Sequence, residues 1–198
     1  MTESAPGFTG YGDTAFAAGS VTGIRWWTVD LEQEAPRLRG AYRGFWVPGE
    51  NTASCSHDPR PGCQVPCSGG CRRRCGCGFW ARWLLQGRYD HSASVVGVVE
   101  GYGMTVIGDG GFRSAKARIR GIHLPRTGER RRPLRWTPPY AEPDVWTDLR
   151  TGALRAGPAE LAFSALLELV IGEIYGVPVY PDLEALLASH PPTTDYIA

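Results

Sequence analysis

All six cysteines of the chain fall within one stretch, SCSHDPRPGCQVPCSGGCRRRCGCGFW (54–80), as Cys55, Cys63, Cys67, Cys71, Cys75 and Cys77, with His57 just after the first. Thiolate and imidazole are the groups zinc prefers, and a structural zinc site takes four of them in a closed tetrahedron. The stretch therefore holds more than enough ligands. Three chemistries compete for it: structural zinc, a disulfide set, and catalytic or redox thiols. The spacing matches no familiar pattern. Two C-x-x-C knuckles are absent, and the gaps fit neither a fungal six-cysteine binuclear cluster nor the usual iron–sulfur runs. Cys63, Cys67, Cys71 and Cys75 recur every fourth residue, which on a helix would line one face. Pro66, Gly69 and Gly70 oppose that helix, so ligands must come from a folded-back loop. Arg72, Arg73 and Arg74 put positive charge beside the thiols, which favours thiolate, and so metal binding and reactivity alike.

The compartment bears on the choice. The opening MTESAPGFTGYGDTAFAAGS lacks a basic n-region and an apolar core, so it does not read as a signal peptide. The most apolar run, LAFSALLELVIGEIYG (161–176), carries Glu168 and Glu173 and is too short to span a bilayer. A soluble, cytoplasmic protein with no membrane partner is the expectation. Disulfides are rare in that compartment, where clustered cysteines more often bind metal. Zinc leads.

The elements that must position this loop read as follows. Residues 1–20 form a flexible tail, and 21–198 a single domain. GIRWWTV (23–29) is β-branched and aromatic enough for a strand. RLRGAYRGFWVPGEN (37–51) gives a second, stopped at Pro48-Gly49. The cysteine loop (54–78) follows, then GFWARWLLQG (78–87), which periodicity assigns to neither strand nor helix. SVVGVVEGYGMTVIG (94–108), a turn at 109–111 and FRSAKARIRGIHL (112–124) predict a long hairpin. Its second arm should place Ala115, Ala117 and Ile119 on one face and Ser114, Lys116, Arg118 and Arg120 on the other. Residues 125–158 are a proline- and arginine-rich loop. From 159 to 190 the pattern turns helical, with Leu161, Ala165, Leu169 and Gly172 as the apolar stripe, flanked by Leu166, Val170 and Ile174. Gly176 and Pro178 end that helix, and Asp182 caps a short last one.

Composition bounds the class. With 198 residues, 42% of them hydrophobic, and seven tryptophans, the chain can bury a core. Its formal net charge of +1 gives no global field towards nucleic acid or membrane. The local distribution is uneven. From Phe112 to Arg135 there are nine basic residues and one acidic, whereas from Pro139 onward there are nine acidic and two basic. Lys116, Arg118 and Arg120, with the run Arg130, Arg131 and Arg132, are therefore candidate polyanion-binding residues. Against this, the two regions can neutralise each other internally. Glu100 is expected to pair with Arg113 or Lys116 across the hairpin. GYGMTV (101–106) lacks the third glycine of a dinucleotide loop and lies within a strand pattern. His123 and His190 have no spaced partner, and no catalytic constellation can be named.

YRGFWVPGENTASC (42–55), CGCGFWA (75–81), GVVEGYGMTVIGDGGFRSAKARI (97–119) and YGVPVYPDLEALLASHP (175–191) together resemble a group of functionally uncharacterised proteins of actinobacteria and their phages. The likeness covers about half the chain. It implies no activity, but it implies a shared set of Cys55, His57, Cys75 and Cys77, ligand types and count that suit zinc. Cys63, Cys67 and Cys71 then lie in an insertion, and one of them can replace His57.

The sequence thus predicts an α+β domain: an antiparallel sheet with a zinc-pinned cysteine loop and a C-terminal helix packed on it. The leading function is a non-enzymatic regulatory or interaction protein that binds another protein through exposed aromatics. A nucleic-acid binder is the alternative, and an enzyme of unknown type the third.

Overall fold

The computed structural model describes residues 15–16, 19–31, 35–40, 44–55, 65–66, 77–84, 95–125, 145–147, 154–156 and 158–193. Ten strands and two helices lie among them: β1 (Ala15–Phe16), β2 (Val21–Asp30), β3 (Arg37–Arg39), β4 (Glu50–Thr52), β5 (Phe79–Arg82), β6 (Val95–Gly108), β7 (Gly111–His123), β8 (Val145–Thr147), β9 (Leu154–Ala156), α1 (Pro158–Tyr175), β10 (Val179–Tyr180) and α2 (Leu183–Ser189). The α+β class and the predominantly antiparallel sheet are as expected. One pairing alone among the described strands is parallel, β10 against β7.

The long hairpin organises the rest. β6 and β7 join through Asp109 and Gly110, with Gly108 opposite Gly111. β2 lies on the other edge of β6, from Val21 opposite Gly101 to Trp27 opposite Val95. β5 lies on the other edge of β7, and Ile24 of β2 meets Arg82 of β5. The pairings β6–β2–β5–β7–β6 therefore close into a ring.

Closure requires strongly bent strands, and two register shifts in the hairpin, at Val98/Val99 and Tyr102/Thr105, supply the bends. Each shift also changes which side chains face inward. The inward set on β7 is Phe112 and Ser114, then Ala117 and Ile119, then Ile122, all buried. Ser114 is thus interior, not part of the basic face, because strict alternation does not survive a bulge.

Phe112 sits fully buried in the ring, where large side chains on every strand would not fit. A Cβ at Gly101 would run into the Phe112 ring, and one at Gly23 would lie 2.8 Å from it. Those two glycines make the space. Around them pack Val21, Trp27, Ala81, Trp83, Val95, Val99, Ile107 and Ile119. Trp83 donates its indole N–H to the Gly108 carbonyl at 2.8 Å, tying the end of β5 to the hairpin tip.

Leu38, Trp46 and the helix α1 close one side of this core. Trp46 stacks edge-on against Trp27 and Phe79, with ring centroids 5.3 and 4.8 Å away. The helix buries Ser164, Leu167, Ile171 and Tyr175. Tyr175 Oη accepts from the Leu38 N–H at 2.8 Å and donates to the Trp46 carbonyl at 3.0 Å. A Schellman turn ends α1: Gly176 has φ +62°, its N–H meets the Glu173 carbonyl, and the Val177 N–H meets that of Gly172. Asp182 caps α2 as predicted, its carboxylate accepting from the Ala185 N–H at 2.7 Å. Leu186 is buried over Gly121, and Thr193 returns to β2 through reciprocal backbone and hydroxyl hydrogen bonds with Thr22.

Four local expectations need correcting. Ala15–Phe16, within the predicted tail, pair with β6. The strand expected over 37–51 is two short ones, and between them the Gly40 N–H donates to the Gly44 carbonyl at 2.9 Å. The loop 125–158 contains the β8–β9 hairpin. The core stripe of α1 is Ser164, Leu167, Ile171 and Tyr175, displaced round the helix from the predicted Leu161, Ala165, Leu169 and Gly172.

Candidate functional site

The cysteine loop leaves and re-enters the sheet at one place. Glu50, Asn51 and Thr52 pair with Arg118, Ala117 and Lys116, and the Ala53 N–H donates to the Ala115 carbonyl at 2.8 Å. Phe79, Trp80, Ala81 and Arg82 then pair with Ser114, Arg113, Phe112 and Gly111. Residues 50–53 and 79–82 thus run along β7 as one strand in continuous register, broken by the insertion of 54–78. Cys55 lies just beyond the break on one side and Cys77 just before it on the other. The loop also folds back on this stem. Pro66 is buried, and its Cβ lies 3.1 Å from where a Gly78 side chain would begin.

No disulfide joins Cys55 to Cys77. His57, Cys63, Cys67, Cys71 and Cys75 lie outside the described residues, and among the described residues no three His, Cys, Asp or Glu side chains form a metal cage.

The basic strand is engaged within the fold. Lys116 Nζ lies 2.8 Å from Glu50 Oε1, and Glu50 Oε2 accepts from Tyr102 Oη at 2.8 Å. Arg118 Nε donates to Glu100 Oε2 at 2.7 Å, and Arg120 Nη1 lies 3.6 Å from the same oxygen. Arg118 also stacks over Tyr102. Two carboxylates therefore face three cations. The Lys116 hydrogen bond, then that of Tyr102, lowers the Glu50 pKa. Arg118's hydrogen bond does the same for Glu100 against the opposing effect of burial. The acids come from β4 and β6, not from the C-terminal helix, and Glu100 takes Arg118 and Arg120 where Arg113 or Lys116 was expected. Arg113 instead stacks over Trp80. Arg130, Arg131 and Arg132 lie outside the described residues.

His123 and His190, without partners by spacing, meet at Tyr180. His123 Nδ1 is 3.1 Å from the Tyr180 carbonyl oxygen, and His190 Nε2 is 3.0 Å from Tyr180 Oη.

The outward face of α1 was not anticipated. Leu161, Leu166 and Leu169 are 53%, 57% and 68% exposed. Beside them runs an open groove of about 700 Å³, lined by Ala165, Leu169, Gly172, Val177, Val179 and Tyr180, with Glu168 and Glu173 also on its walls. Among the described residues Phe45 is the aromatic one of the exposed large hydrophobics, and the others there are aliphatic. One sequence signal was available: α1 is apolar round more of its circumference than a one-faced surface helix needs.

Among the described residues no helix is long and apolar enough to cross a membrane. Comparison with protein families, curated proteins and solved structures gives no match.

Proposed function

We propose that this chain is a small non-enzymatic interaction or regulatory protein of an actinobacterium or its phage, held together by a structural zinc site and binding another protein. The observation that carries the reading is the second apolar stripe of α1. A helix that already buries Leu167, Ile171 and Tyr175 turns three further leucines to solvent. Apolar surface gathered in this way beside a groove is characteristic of protein contact.

Zinc fits the donor set at the loop stem. Cys55 and Cys77 flank the strand break, and soft thiolates there suit zinc above harder cations. The remaining ligands would come from His57, Cys75 or the inserted Cys63, Cys67 and Cys71. Bound zinc would supply cross-linking, holding the loop to β7.

The nucleic-acid reading is weaker, because Lys116, Arg118 and Arg120 already have Glu50 and Glu100 as counter-charges. Affinity capture from an actinobacterial extract tests the proposal. A stoichiometric protein retained by the whole chain and lost on changing Leu161, Leu166 and Leu169 to Asp supports it, with circular dichroism confirming the variant's fold. Salt-steep retention on heparin, indifferent to those leucines and with no protein retained, overturns it.

A further inference from the structure

We infer that the groove between α1 and β10 takes a basic, leucine-rich amphipathic helix from the partner protein. The inference rests on the interaction reading above and names the chemistry of the partner.

The shape comes from side-chain size. Along the outward stripe Leu161, Ala165, Leu169 and Gly172 alternate large and small at helical spacing. Such a ridge leaves a hollow over Ala165, between Leu161 and Leu169, into which a leucine of a facing helix inserts. The groove has a packed floor. The missing side chain of Gly172 lets Val179 Cγ2 come within 2.7 Å of where a Cβ would stand, so β10 closes against the helix. Val177, Val179, Tyr180 and Pro181 complete an apolar wall.

The sign of the charge comes from the rim. Helix α1 carries Glu160, Glu168 and Glu173 and no lysine or arginine. Glu168 and Glu173 both line the groove, and among the described residues neither is ion-paired. They lie about 7.5 Å apart along the helix axis, a span matched by cations four or five positions apart on a facing helix. An acidic helix would meet like charge at both points. A basic one is steered in and paired.

The test uses the whole chain and two labelled helical peptides of about 14 residues, long enough to be helical when bound. One is built from leucine and lysine, and the other has glutamate at every lysine position. Fluorescence anisotropy should show saturable binding of the lysine peptide, weakened by salt and about tenfold tighter than that of the glutamate peptide. Leu169→Asp should weaken the lysine peptide about tenfold, and Glu168→Lys with Glu173→Lys should reverse the preference between peptides. Glu168→Gln with Glu173→Gln, a milder change that keeps side-chain size, should abolish the preference. Thermal unfolding confirms that each variant is folded.

Absence of saturable binding, or equal affinity for both peptides, overturns the inference. So does binding indifferent to Leu169, Glu168 and Glu173. Self-association in sedimentation that Leu169→Asp abolishes would also overturn it, since the occupant would then be a second copy. If the peptides fail while leucine-dependent capture of a protein persists, the interaction reading stands and only the partner chemistry is wrong.

Discussion

Ala53 and Phe79 stand opposite consecutive residues of β7, Ala115 and Ser114, although the whole cysteine loop separates them in sequence. A strand edge that resumes its register after such an insertion needs no help from the loop to find its place. Glycine- and proline-rich segments bury little, and their ordering costs about 1–2 kcal/mol per residue in backbone entropy. The proposed metal at the stem would offset that cost where the two ends meet.

The protein should therefore purify with close to one equivalent of zinc. Cys75→Ser or Cys77→Ser should lower the thermal midpoint of the whole domain, because metal-binding free energy becomes folding free energy. A chelator should do the same to the unmodified chain. Metal analysis finding none, with mass spectrometry finding three disulfides, would refute the site.

Tyr175→Phe keeps the ring and removes one oxygen. That oxygen serves the Leu38 N–H and the Trp46 carbonyl, and all three groups are buried. Leaving two buried backbone groups unsatisfied should cost roughly 2–4 kcal/mol, read as a shift in denaturant midpoint at constant slope. A loss within about 0.5 kcal/mol would mean that water reaches the site.

What was legible in the sequence was what local rules govern. The β6–β7 hairpin, the Asp182 cap and the Gly176 stop follow from β-branched runs, turn residues and capping chemistry. The closed ring did not, since Ile24 meets Arg82 only because two bulges bend the hairpin, and bulges have no reliable local code. The same bulges turned Ser114 inward. On α1 the apolar pattern was visible, but a helix with two apolar stripes does not say which one the core takes. Tyr175 decided it, through hydroxyl contacts to residues more than a hundred positions away. For the candidate sites, the pairing of Lys116, Arg118 and Arg120 depended on β4 and β6 register, and so on tertiary structure.

Gly101→Ala should destabilise the fold by about 1–3 kcal/mol, the usual effect of overpacking a core. The new methyl would collide with the Phe112 ring and lie 2.6 Å from Ser114 Oγ. Phe112→Leu in the same chain should recover part of the loss by freeing space. A double-mutant cycle measures this, and strict additivity would show that the two residues do not share the space.

Changing Lys116, Arg118 and Arg120 together to Ser should cost stability and remove no nucleic-acid binding. It strips Glu50 and Glu100 of their cationic partners, and Glu100 is largely covered. The pH dependence follows from the Glu100 pKa, held below its usual 4.5 chiefly by the Arg118 hydrogen bond. A carboxylate of lowered pKa adds stability that is present above about pH 4.5 and lost as pH falls through the folded value. Acid unfolding of the triple variant should therefore be less steep. Affinity for DNA or RNA at physiological salt, abolished in a still-folded triple variant, would contradict this.

His190 gives the last prediction, at milder pH. Burial, and then the charge of Arg120, push its imidazole below the usual 6.5, while Nε2 keeps its contact with Tyr180 Oη. A base that the fold holds neutral takes its proton more readily in the unfolded chain. Its contribution is therefore full above about pH 6.5 and falls as pH drops through the lower folded value. The imidazole resonances in NMR should titrate below 6.5, and Arg120→Ser should move the titration upward without restoring it fully, since burial remains. The denaturant midpoint should fall between neutral pH and the folded value, and fall less in His190→Gln. The segment from His190 to Thr193 carries the chain from α2 back to Thr22 of β2, so loosening there should appear first as faster amide exchange at Thr22 and Thr193. Titration at or above 6.5, or parallel pH profiles for the parent and His190→Gln, would show that the Tyr180 contact does not depend on a neutral ring.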